Sequence, residues 1–367
     1  MALAVSESEQ DSSPHSPHPF SQLTPDFLLD ALQSVGIRGD GRLLALNSYE
    51  NRVWQVGVED GETLIAKFYR PERWTEAQLL EEHAFAQALV EDDVPVVAPL
   101  ALRSAGMNAL TQIHSEDSSV STFEFSSESL STLHWYQDFH FAVFPRKGGR
   151  APELDRTGVL ERMGYFLGRL HTTGAQLCFT HRPTLSIEEF GREPLRFLLA
   201  GECIPFELKP SWQAIAEQAI QAVEECFARV GPVSGFRIHG DCHPGNVLWT
   251  EAGPHFVDLD DARNGPAIQD IWMLLSGSRE EQQIQLEEIM RGYRAFRRFD
   301  TRELSLIEPL RTLRLLHYSA WIARRWDDPA FPMNFPWFGT TRYWQDRILE
   351  LREQVAAMQE PALHLQD

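Results

Sequence analysis

Two stretches, IHGDCHPGNVLW at 238–249 and HFVDLDD at 255–261, constrain this 367-residue chain more than anything else in it. NVLW, a Glu-Ala-Gly-Pro turn and HFVDLDD read as a short hairpin, with His239, Gly240 and Asp241 just before it and Asp258 inside its second strand. His239, Cys242 and His243 are all zinc-ligand types, so a metal nest is one reading. Structural zinc sites, however, pair their ligands as Cys-x2-4-Cys with His-x3-5-His, and no second pair stands nearby.

Phosphoryl transfer asks for different groups. A carboxylate must orient the acceptor hydroxyl, an amide oxygen and a second carboxylate must hold magnesium, and a lysine must steady the α- and β-phosphates. His239-x-Asp241-x4-Asn246 has the spacing of a kinase catalytic loop, and Asp258 follows where a kinase carries its magnesium aspartate. Oxygen donors suit that hard cation, whereas thiol and imidazole do not. The expectation is therefore Asp241 as proton acceptor and Asn246 and Asp258 as metal ligands, with Cys242 and His243 as bystanders or positioning groups.

The lysine is expected in the first part of the chain, which reads as a small sheet with helices. Thr24-Pro25 is a cap followed by proline at the first helical position, so a helix runs through FLLDAL toward Gly36. RVWQVGV (52–58) and TLIAKFY (63–69) read as strands joined across Asp60-Gly61. Thr75 and Gln78 have capping-box spacing ahead of a helix to about residue 91, and VPVVAPLAL and FHFAVFP (139–145) read as further strands. Lys67 stands in an apolar strand, where a buried amine needs a partner. Of Glu81 and Glu82 on the next helix, Glu82 lies between Leu79, Phe85 and Leu89 on the inward face, and a Lys67–Glu82 ion pair is expected to aim the lysine at the nucleotide. No glycine-rich phosphate loop occurs; NSYEN (47–51) takes its place between the first two strands, with Ser48 expected near the β-phosphate.

From about residue 150 the periodicity is helical: Leu160, Met163, Leu167 and Leu170, then stripes near 213–229, 280–296, 305–325 and 341–358. The fold expected is α+β and bilobal, a protein-kinase-like arrangement with a small β-sheet-plus-helix N-lobe at 22–147 and a larger, mainly helical C-lobe at 148–367. Residues 1–21 read as a disordered tail and the serine-rich 115–134 as an inserted loop, with Gly148-Gly149 a flexible break.

Composition narrows the partners. A net charge of -20 argues against nucleic acid or an anionic membrane surface, and no window approaches the roughly 18 apolar residues of a membrane span. Four widely spaced cysteines fit a reduced, cytoplasmic chain.

These residues resemble the aminoglycoside phosphotransferase/choline kinase-like superfamily, which has HGDxxxxN where protein kinases have HRDxxxxN. More narrowly, LNSYENRVWQ, AKFYRPERW, IHGDCHPGN, FVDLDDARNGP, QDIWMLL and RRWDDPAFPMNFPW are similar to the bacterial stress response kinase A family, over about residues 22–362. The resemblance implies a serine/threonine protein kinase using ATP and Mg2+, acting in stress survival as a cytoplasmic monomer. Carried over by motif, Asp241 is the proton acceptor, Asn246 and Asp258 bind magnesium, Asp258 also counts as catalytic, and Ser48 belongs to the ATP site. The serine-rich insertion and the longer tail depart from the family and bear on partner choice.

Blander readings stand beside these. Asp270 is read as structural, accepting backbone N–H groups of the catalytic loop, and His171 as a satisfied core histidine. Asp260 and Asp261 either add to the metal field or cap a turn. Arg311, Arg314, Arg324 and Arg325 are read mostly as salt-bridged surface, with one or two lining a substrate groove. The aromatic residues of 321–344 are read as core. A small-molecule kinase of choline, homoserine or aminoglycoside type is the main alternative, because fold does not decide substrate. A pseudokinase scaffold is the non-enzymatic one, disfavoured by the intact Lys67, Asp241, Asn246 and Asp258.

Overall fold

Strand-forming runs in the first part of the chain and helical periodicity in the rest produce two lobes. The computed structural model describes residues 18–59, 61–103 and 130–365. In the N-lobe α1 (Pro25–Gln33) is followed by β1 (Gly39–Ala45), β2 (Arg52–Val58), β3 (Leu64–Phe68) and α2 (Glu76–Glu91). The short strands β4 (Leu102–Arg103), β5 (Leu130–Ser131) and β6 (His134–Tyr136) lead to β7 (Phe139–Pro145). The sheet is antiparallel in the order β1-β2-β3-β7-β6, so β3 is central, and Lys67 faces Val53 on one side and Ala142 on the other.

Local chemistry explains the element boundaries. Thr24 Oγ1 accepts from Phe27 N at 3.2 Å, with Pro25 opening α1. The α2 capping box is complete, Thr75 Oγ1 taking the Gln78 N–H while Gln78 Oε1 takes that of Thr75. Phe27, Leu28, Leu32, Phe68, Phe139 and Phe141 form the core beneath the sheet.

Four expectations are corrected here. The tail does not extend to residue 21, because Phe20 is buried and stacks on Phe139 at 5.9 Å; residues 1–17 lie outside the described residues. VPVVAPLAL is no regular strand. Pro95 and Pro99 have no N–H to donate, and the segment crosses to the C-lobe, where Val97 N and Phe256 N bond to Phe256 O and Pro95 O. The insertion does not run to 134, since β5 and the first residue of β6 fall in 130–134; residues 115–129 lie outside the described residues. The GG break is pinned rather than loose at its second glycine. Gly149 has φ +145, and a Cβ there would come within 2.9 Å of Leu248, beside the Arg150–Trp249 bridge. The strand implied ahead of NSYEN is β1, whose bounds GDGRLLA does not announce, because its glycines and exposed face carry no alternation.

The C-lobe contains α3 (Val159–Gly174), α4 (Glu193–Ala200), α5 (Lys209–Val230), β8 (Phe236–Ile238), β9 (Val247–Thr250), β10 (Gly253–Phe256) and β11 (Arg263–Gly265). Then come α6 (Ile268–Trp272), α7 (Arg279–Tyr293), α8 (Ile307–Arg324), α9 (Ala330–Asn334) and α10 (Thr341–Ala357). One core joins α3, α6 and α7 to the hairpin through Met163, Leu167, Ile271, Ile289 and Phe256, and a second joins α5, α8 and α10 through Trp212, Leu316 and Trp344. The architecture is the α+β bilobal kinase-like fold expected. The hairpin β9–β10 ends at Phe256, so Asp258 follows the second strand rather than lying inside it.

Candidate active site

The lobes meet around a cleft of about 670 Å3. Part of its lining is apolar, from Val53, Ile65, Ala86, Val97, Phe144, Leu248 and Val257. Ser48, Lys67, Glu82, Asp241, Asn246 and Asp258 line the same cleft, so all six candidate residues share one space.

The HGD loop is held by a buried carboxylate. Asp270, fully buried on α6, accepts the backbone N–H of His239 and of Gly240, both at 2.8 Å, and contacts His171 Nε2 at 3.0 Å. That is the structural role read from sequence for both Asp270 and His171. Gly240 has φ +85, and a Cβ there would strike the Asp261 carbonyl, so no larger residue fits. His239 Nε2 donates to Val257 O at 3.0 Å, tying the loop to the residue before Asp258.

Asp241 projects from this loop into ionic surroundings. Its Oδ1 lies 2.5 Å from Arg314 on α8, and its Oδ2 is 3.5 Å from His243. Burial works against its charge, but the His243 contact and the Arg314 guanidinium win and hold its carboxyl well below the usual range. Asn246 Nδ2 donates to Asp241 O at 3.0 Å. A carbonyl can only accept, so the Asn246 amide nitrogen is fixed there and its Oδ1 remains the free donor atom.

Asp258 has φ 61, a left-handed conformation costing about 1 kcal/mol or more in a non-glycine residue. The turn brings its carboxylate 3.0 Å from Lys67 Nζ, while its side chain stays 52% exposed to the cleft. Lys67 also pairs with Asp260 at 3.2 Å. Burial pulls the Lys67 pKa down, but the charges of Asp258, Asp260 and Glu82 outweigh it and raise the pKa well above the ordinary lysine value.

The expected Lys67–Glu82 ion pair is not the one formed. Glu82 does face inward and is buried, but its carboxylate accepts from Arg182 at 3.1 Å. Arg182 is buried too and needs a carboxylate; it also donates to Ala262 O and to Asp260 O. Glu82 therefore anchors α2 to the segment after Asp258 and acts on Lys67 through space. Burial raises the Glu82 pKa against the pull of Lys67 and Arg182. Glu81 caps the C-lobe instead, accepting from Thr180 N, His181 N and Arg182 N.

Asp260 and Asp261 belong to an ion network. Arg73 pairs with both, and Arg263 pairs with Asp261 at 3.0 Å. Sequence reasoning passed over Arg73, Arg182 and Glu50, which accepts from Trp321 Nε1 at 2.6 Å and Arg325 at 2.9 Å. Long-range charge pairing leaves no periodic signal that would have found them. Trp321 packs on Phe331 and Phe335 of the second core, as its core reading requires, and also lines the cleft with His317 and Tyr318. The spacing 314, 317, 318, 321 on one helix face was the available clue.

Two lobes, an apolar slot and a lysine facing clustered carboxylates together define a kinase-like phosphotransferase. The chain belongs to the phosphotransferase enzyme family, which matches residues 42–307. Stress response kinase A of Escherichia coli O157:H7 is 47% identical over 346 residues, covering 94% of this chain and 97% of the relative. The serine/threonine protein kinase RdoA of Salmonella typhimurium (strain LT2) is 45% identical over the same shares. Among solved structures, amicoumacin kinase hAmiN in complex with AMP-PNP, Ca2+ and Ami superimposes with a TM-score of 0.67 at 17% identity, over 91% of this chain and 93% of that one. The microcompartment-associated aminopropanol kinase gives 0.63 at 18%, over 91% and 96%. At those identities the likeness speaks for fold alone.

Proposed function

We propose that the protein is an ATP- and Mg2+-dependent serine/threonine protein kinase acting in stress response. The observation that carries the reading is the convergence of Lys67, Asp258, Asn246 and Asp241 from both lobes on one cleft, with Lys67 and Asp258 3.0 Å apart. The names of the relatives support the protein acceptor and the stress role. No helix among the described residues is long and apolar enough to cross a membrane.

The donor set fits a hard divalent cation. Asn246 Oδ1 and the exposed Asp258 carboxylate are oxygen donors opening on the cleft. Bound there, Mg2+ would neutralise charge on the phosphate oxygens. The apolar slot takes the adenine, Lys67 steadies the α- and β-phosphates, and Ser48 in the β1–β2 loop stands by the β-phosphate. Glu82 holds α2 and the segment after Asp258 in register with that lysine. Asp241 orients the acceptor hydroxyl and receives its proton as the γ-phosphorus leaves the β–γ bridging oxygen for the hydroxyl oxygen, giving phosphoprotein and ADP. Before transfer Asp241 is held ionised by its cationic neighbours and is a weak base, so its contribution is positioning more than basicity.

The test is incubation of purified protein with labelled ATP, Mg2+, one basic and one acidic test protein and a panel of choline, homoserine and aminoglycosides. Label is expected on protein serine or threonine, with a loss of at least about a hundredfold in folded Asp241→Ala and Asp258→Ala. Label entering a metabolite alone would remove the protein-kinase reading. Unchanged transfer in both variants would remove the assigned chemistry.

A further inference from the structure

One wall of the cleft is a face of α8, where Arg314, His317, Tyr318 and Trp321 stand at i, i+3, i+4 and i+7. Three of the four are flat rings. Tyr318 and Trp321 stack at 5.7 Å, and His317 stacks on Phe190 at 4.4 Å. The fourth is a cation less enclosed than the other guanidinium groups lining the cleft. Arg73 is divided among Asp260, Asp261 and Glu50, and Arg263 between Asp261 and Glu189, each guanidinium nearly closed off from solvent. Arg314 is 41% exposed, and its charge is met by Asp241 at 2.5 Å.

That pair poses a problem for the acceptor. Oδ2 of Asp241 already has Asn246 Nδ2 at 3.4 Å and His243 at 3.5 Å, and Oδ1 has Arg314. A hydroxyl approaching Asp241 must share or displace one of them. Building on the role given to Asp241 above, we propose that Arg314 selects the acceptor: the site takes a hydroxyl lying beside an anionic group, which draws the guanidinium from Asp241 and frees Oδ1 for the hydroxyl.

The energetics favour such an exchange. Guanidinium binds a second carboxylate or a phosphate as well as the first, so an anionic neighbour trades one ion pair for another at small net cost. A neutral neighbour offers nothing in return, and the hydroxyl must break the pair unaided. A cationic neighbour meets the guanidinium as a like charge. The acceptor class is therefore a serine or threonine flanked by acidic side chains, lying along the aromatic wall. It is not an amine-bearing metabolite.

The experiment measures kcat/KM on three peptides identical except for glutamate, glutamine or lysine beside one serine, with the wild type, Arg314→Met and Arg314→Lys. The wild type is expected to favour the glutamate peptide over the glutamine peptide by about tenfold, with lysine poorest. In Arg314→Met the ratio falls toward one whatever the absolute rate, and Arg314→Lys restores part of it. Equal rates or a lysine preference in the wild type, or an acidic preference that survives in Arg314→Met, would overturn the proposal. If no peptide accepts phosphate while a small hydroxyl compound does, the protein-acceptor reading fails on its own. The same ratio is then taken between a hydroxycarboxylic acid and an amino alcohol of equal size. Preference for the hydroxy acid, lost in Arg314→Met, keeps the Arg314 assignment; any other ratio ends it.

Discussion

Asp270 has no exposed surface and serves two backbone N–H groups and one imidazole. Removing it strands buried donors at about 1 to 3 kcal/mol each, so Asp270→Ala is expected to lose about 3 kcal/mol or more in urea unfolding. A variant within about 0.5 kcal/mol of wild type would show that water replaces the carboxylate. His83, beside Glu82, makes a different prediction. Its ring lies 2.7 Å from Tyr69 Oη and 2.9 Å from Thr132 Oγ1, and burial, aided by Lys67 and Arg182, pushes its pKa from 6.5 down to about 3. The unfolded chain therefore takes up a proton below about pH 6.5 that the folded chain refuses until about pH 3. The stability involved is present above pH 6.5 and is lost as the pH falls toward 3, about 2 kcal/mol of it between roughly pH 7 and 5. His83→Gln should flatten that limb of the thermal midpoint against pH, and an unchanged slope would assign the acid sensitivity to the carboxylates.

At the scale of elements, the lengths and ends of helices were legible where a local device writes them. Thr24-Pro25 and the Thr75/Gln78 box act within one turn, so four residues carry the whole signal. The π-helical turn Glu188–Arg192 and the short helices α4, α6 and α9 were not read, because their positions depend on packing against α8 and its neighbours. Helix crossings were equally hidden. α3 meets α7 where Gly164 faces the Ile289 backbone and Gly292 faces that of Glu161, and a Cβ at either glycine would collide with a carbonyl. Gly164→Val should force the helices apart and lower stability by about 3 kcal/mol, seen as a lower thermal midpoint. A midpoint matching wild type would mean that the crossing yields freely.

On the scale of the molecule, the lobes are joined by charge as well as by the connecting chain. Asp328 of the C-lobe, buried, accepts from Arg52 at 2.9 Å and Arg70 at 2.6 Å of the N-lobe, and Glu50 of the N-lobe pairs with Arg325 of the C-lobe. Glu50 lies two residues from Ser48, so the latch also positions the β1–β2 loop over the cleft. Asp328→Ala leaves two guanidinium groups short of a partner and should cost about 3 kcal/mol, with faster hydrogen exchange in residues 47–52 than in the C-lobe core. Uniform exchange across both lobes would show that the latch is not what holds them.

The amino-acid sequence by itself determined the class of fold, the HGD loop with Asp241 and Asn246, Asp258, the strand bearing Lys67, and the helix face bearing Glu82. Each of these is written in spacing along a few adjacent residues, where backbone geometry turns number into direction. Only the tertiary structure decided who pairs with whom: Lys67 with Asp258 and Asp260, Glu82 with Arg182, Asp241 with Arg314. A buried charge takes whichever opposite charge the packed lobes bring within a few ångströms, and that distance exists only after residues 73, 100 or 191 positions apart have been folded together.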